Sequence, residues 1–84
     1  MKHAGPEALE RLEHLLAKLR TIKTLKERSR GIFYRSGRAF LHFHEHGSEL
    51  FADMRMAEDF QRFPATSPTQ RTALIRVLKD ALRE

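Results

Sequence analysis

Along the opening stretch of the chain, apolar residues return at three- and four-residue steps. Leu9, Leu12, Leu16, Leu19 and Ile22, with Leu15 beside them, draw one stripe down a helix. The segment GPEALERLEHLLAKLRTI offers Gly5 as N-cap and Pro6 at the first helical position, where a missing N–H does no harm. Glu7 and Glu10 fall in the first turns, where the helix dipole favours negative charge. The pattern predicts a helix that frays near Thr24, followed by LKERSRG as a connector.

From Gly31 the texture changes. GIFYRSGRAFLHFHEHGSELFADMR is rich in aromatic and apolar residues, with turn signals at Ser36-Gly37 and Gly47-Ser48. Two-residue turns at both places fix a register. Tyr34 then faces Ala39, Ile32 faces Leu41, Phe43 faces Ala52 and Leu41 faces Met54. One side of the meander becomes Ile32, Tyr34, Ala39, Leu41, Phe43, Leu50, Ala52 and Met54, which is nearly all apolar and is the expected core. A one-residue slip of the second hairpin would set His44 against Leu50 and mix the two faces.

Beyond Arg55, MAEDFQRF reads as a short helical turn or an irregular crossing. Ser67, Pro68 and Gln70 then spell a capping box, and Leu74, Ile75, Val77, Leu78, Ala81 and Leu82 supply the buried stripe of a final helix. The expected fold is α+β, a single domain over residues 1–84. It is a three-stranded antiparallel meander packed on one face by N- and C-terminal helices, in the order α-β-β-β-α.

Two helices cover one face of such a sheet, so the other is expected to be open. On the register above it carries Phe33, Arg35, Arg38, Phe40, His42, His44, His46, Glu49, Phe51, Asp53 and Arg55, with Phe33 directly opposite Phe40. Aromatic rings exposed among cations imply a partner. A second copy of the chain could stack its own sheet there and enlarge a thin core, giving a homodimer. Single-stranded RNA or DNA could instead stack bases on Phe33, Phe40 and Phe51 while Arg35, Arg38 and Arg55 hold phosphates.

Composition narrows these classes. The 84 residues carry a net charge of +5 with histidines neutral. From Lys18 to Arg38 eight lysines and arginines face only Glu27, a basic stretch that would draw phosphates. A chain this short buries only about two-thirds of its unfolded surface, which favours dimerisation. Cysteine is absent, which excludes disulfides and thiolate metal sites. No apolar run approaches the roughly 20 residues that span a bilayer, and MKHAGPEALERL lacks a signal-peptide core, so a cytoplasmic protein without a membrane partner is expected.

The histidines add a third class. His42 and His44 share one side of a strand, roughly 7 Å apart at the backbone, a spacing that can chelate one divalent ion. Asp53, opposite His42, would be the third ligand. A structural alternative is a pair of cross-strand contacts, His42–Asp53 and His46–Glu49. No nucleophilic cysteine and no phosphate-cradling glycine loop is present. The expectation is therefore a non-catalytic, bacterial-type interaction and dimerisation module without a required cofactor. Nucleic-acid binding is the alternative, and divalent metal binding at His42, His44 and Asp53 the third reading. The run SGRAFLHFHEHGSELFADMR is similar to the central hairpins of the YjbR-like family, over under a third of the chain, and implies no residue role.

Overall fold

In the computed structural model, which describes residues 1–83, the chain is α+β, built on a six-stranded antiparallel sheet and three helices. The elements are β1 (Lys2–His3), α1 (Pro6–Arg11), α2 (Glu13–Arg20), β2 (Lys26–Ser29), β3 (Ile32–Arg35), β4 (Arg38–His46), β5 (Glu49–Met56), β6 (Asp59–Pro64) and α3 (Pro68–Leu82). The strands run β2-β3-β4-β5-β6 in sequence order, and β1 pairs with β4. Because β3 pairs with β4 over Arg38–Leu41 and β1 pairs at His44 and Glu45, both occupy the same edge of β4.

The meander is thus longer than the three strands expected. LKERSRG is not a connector: Lys26 pairs with Tyr34 and Glu27 with Phe33. MAEDFQRF is neither helix nor crossing, since β6 pairs with β5 from Met56–Asp59 to Phe51–Pro64. Both segments are edge strands, where one side of the backbone faces solvent and charged residues are welcome. That composition hides them from an apolar-periodicity reading. The expected first helix is also divided, at Leu12, whose φ of −92° and ψ of 1° leave the helical well.

The second hairpin has the anticipated register, with Leu41 opposite Met54, His42 opposite Asp53 and Phe43 opposite Ala52. The first does not. Tyr34 does face Ala39, but Phe33, not Ile32, faces Leu41, because the register shifts by one residue between Phe33 and Tyr34. The bulge re-aims the strand. Phe33 becomes fully buried and Phe40 nearly so, while Ile32 and Tyr34 are only half-buried. The gain is two large rings in the core instead of one isoleucine and a tyrosine whose hydroxyl would want a partner.

That core joins Phe33, Leu41, Phe43, Leu50, Ala52 and Met54 of the sheet to Leu12, Leu16 and Leu19 of the first two helices and Leu74 and Leu78 of α3. The capping box at the start of α3 forms as expected: Ser67 Oγ accepts from Gln70 N at 3.1 Å, and Gln70 Oε1 accepts from Ser67 N at 3.1 Å. Thr66 beside it ties the helix start to the sheet, accepting from Leu50 N at 2.8 Å through its hydroxyl. Gly31, joining β2 to β3, holds φ at +81° and lies so close to Leu9 that a Cβ would meet its Cδ2 at 2.6 Å. Its N–H donates to Glu27 Oε2 at 2.8 Å.

Candidate metal centre on the open sheet face

Alternation along β4 sets His42 and His44 on one side of the sheet, away from Leu41 and Phe43. The β1–β4 register places His3 opposite His44. β1 is held there by Ala4 N donating to Phe43 O at 3.0 Å and Gly5 N donating to Glu45 Oε2 at 2.7 Å. Three imidazoles therefore meet. Their ring centroids are 4.4 Å apart for His3–His44, 5.2 Å for His42–His44 and 5.7 Å for His3–His42. One nitrogen from each ring lies within 4.8 Å of the others.

Two ring nitrogens in the cluster form no hydrogen bond. Nδ1 of both His42 and His44 is buried without a hydrogen-bond partner among the described residues. His44 Nδ1 stands 3.2 Å from Asp53 Oδ2, but off the direction a hydrogen bond requires. Burial pushes both imidazoles below the usual histidine pKa, and the nearby Asp53 charge only partly opposes it. Both rings are thus held in the neutral form that ligates metals. The Phe60 ring, 4.8 Å from His42, closes one side of the cluster.

Asp53, expected as the third ligand, is engaged elsewhere. Arg62 on β6, its register partner, donates Nε to Oδ1 at 2.7 Å and Nη2 to Oδ2 at 2.8 Å. That fork is the main cause of a depressed Asp53 pKa, against the opposing effect of burial. The third member of the cluster with His42 and His44 is His3, not Asp53. Nothing in MKHAG announces a two-residue strand, so His3 carried no signal. Arg62 was hidden for the same reason as β6 itself. The Arg62 charge that would repel a cation is answered locally by Asp53.

The remaining sequence candidates fall into different places. Phe33 and Phe40 belong to the core and not to the open face, so two of the three rings expected to carry sheet stacking or base stacking are inside the protein. Phe51 is half-buried, opposite His44 and beside Pro64. Arg35, Arg38, Phe40 and Arg55 are brought together around a concavity at one end of the sheet. His46 and Glu49 pair across the β4–β5 turn and are exposed.

The basic stretch from Lys18 to Arg38 is less open than its sequence suggests. Arg20 bonds Glu13 at 2.6 Å and Glu27 at 2.5 Å, and Arg30 reaches Glu10 at 3.1 Å and Glu13 at 3.0 Å. Glu10 and Glu13 come from the preceding helices, outside the run in which only Glu27 was counted. No helix among the described residues is long and apolar enough to cross a membrane. No protein-family model, curated protein or solved structure matches the chain.

Proposed function

We propose that this domain binds a divalent transition-metal ion through His3, His42 and His44 on its open sheet face. The observation that carries the reading is the convergence of three imidazoles, two of them with a buried Nδ1 that forms no hydrogen bond. A buried polar atom without a partner costs about 1–3 kcal/mol, and a coordinate bond removes that cost. Imidazole ligands suit zinc, copper and nickel, whereas a site without oxygen donors disfavours magnesium and calcium. Nitrogens on one tetrahedral ion stand about 3.3 Å apart, so binding draws the three rings together from their present spacing. Three protein ligands leave a fourth position for water or an external donor. The ion would also fasten β1 to β4.

Titration calorimetry and thermal unfolding with zinc and nickel salts test this. The expected result is one ion per chain, with a rise in melting temperature that disappears on chelation. His3→Ala and His42→Ala should each weaken the ion by at least tenfold, while His14→Ala, on α2, leaves it unchanged. Binding that is absent, or indifferent to His3 and His42, overturns the proposal.

A further inference from the structure

The concavity at the far end of the sheet is built from three separate elements. The β3–β4 turn supplies Ser36 and its flanking Arg35 and Arg38, the end of β5 supplies Arg55, and the last turn of α3 closes the side at Ala81. Its volume is about 430 Å³, in the range of small-molecule sites. Three arginines border it, and no carboxylate does among the described residues. Phe40, Met56 and Ala81 give it an apolar wall.

Arg55 is held in place by neutral groups. Arg55 Nε donates to Ala39 O at 2.8 Å while its guanidinium lies 4.6 Å over the Phe60 ring. Arg35 lies 5.7 Å over the Phe40 ring and donates to Ala81 O at 3.5 Å. Neither Arg38 nor Arg55 forms an ion pair among the described residues, whereas Arg20, Arg30, Arg62 and Arg83 each do. Carbonyl and ring contacts orient the Arg55 guanidinium without cancelling its charge, so that charge remains available at the cavity border.

The backbone adds a second observation. The non-glycine residues with left-handed φ among those described are Ser36 at 54° and Ala57 at 57°, and both border this cavity. Glycine would be the unstrained choice at each. Such conformations cluster where a site over-determines the chain.

We infer that this cavity is a binding site for a small organic oxyanion, a phosphate or carboxylate carried on a compact apolar body. The arginine forks match the planar or tetrahedral oxygens of such groups, and the apolar wall takes the body. The site is independent of the histidine cluster and stands or falls without a metal.

Amide-resolved NMR titration with phenyl phosphate, phenylacetate and inorganic phosphate, in the presence of a chelator, is the test. At least one of the two aromatic probes should saturate, several-fold more tightly than inorganic phosphate, and shift the amides of Ser36, Gly37, Arg38, Met56 and Ala57. Arg38→Gln and Arg55→Gln should each weaken it at least fivefold with the fold intact by its amide spectrum. Arg55→Lys, which keeps the charge but loses the fork, should weaken it too. Arg76→Gln, an exposed change of equal charge on α3, should not. Failure of both aromatic probes to saturate, shifts located elsewhere, or an equal loss in Arg76→Gln overturns the inference. So does a single-stranded oligonucleotide shifting these amides when neither aromatic probe does.

Discussion

Asp53 and Arg62 meet across β5 and β6 as a two-pronged fork, Nε to Oδ1 at 2.7 Å and Nη2 to Oδ2 at 2.8 Å. The carboxylate is buried and the guanidinium half-exposed. The contact therefore matters most to Asp53, whose charge would otherwise face two half-buried histidines. Arg62→Ala should raise the Asp53 pKa, lower stability near neutral pH and shrink the part of that stability that is lost in acid. NMR titration of the Asp53 carboxyl reads this directly, and an unmoved titration would contradict the stated cause.

The histidines set a separate pH dependence. His42 and His44, with His3, Asp53 and Arg62 around them, have folded pKa values below the unfolded value near 6.5. The unfolded chain binds protons first, so stability should be full above that value and fall as pH drops through it towards the folded pKa. Asp53, lowered from 3.8, adds stability above its own unfolded pKa and loses it only in stronger acid. Urea unfolding from about pH 8 to pH 5 should show the first loss, and a His42→Asn/His44→Asn variant should flatten it. Stability that does not change over that range in the parent protein would count against the buried neutral rings.

Phe33 is fully buried against the sheet and helices. Phe33→Ala should cost about 3–5 kcal/mol, most of the stability of a small domain. On an open face the same change would be nearly neutral. Chemical denaturation separates the two, and a loss of under about 1 kcal/mol would reject the bulged register.

Gly31→Ala meets two obstacles, the left-handed backbone and the Leu9 side chain. Leu9 can turn away, but the φ of +81° cannot be kept cheaply, so a loss of about 1–2 kcal/mol is expected. Thermal unfolding checks it. Unchanged stability would mean that the β2–β3 link adopts another conformation.

What could be read from the sequence follows from where apolar residues sit. The β4–β5 hairpin was legible because Leu41, Phe43, Leu50, Ala52 and Met54 must share a side. The capping box at Ser67 was legible because its chemistry is local. β2 and β6 were not, since KERS and DFQRFP alternate little and lie at edges where polarity is tolerated. The bulge that moves Phe33 and Phe40 inward inserts a single residue, and only packing against the helices decides between the two registers. In the histidine cluster, His42 and His44 are legible through their spacing. His3 joins them through a contact 41 residues away in sequence, which no local pattern encodes.

Strand order carries a kinetic consequence. Each strand from β2 to β6 pairs with its neighbour in sequence through a two-residue link. Such hairpins close on the microsecond scale with little loop entropy to overcome. β1 differs, since its anchor from Gly5 to Glu45 spans 40 residues. Hydrogen exchange should find the Ala4 amide opening more readily than the amides shared by β4 and β5, and equal protection would refute this order. On this order the sheet should assemble outward from the hairpins and add β1 last, so that the third histidine arrives only on a surface that has already folded.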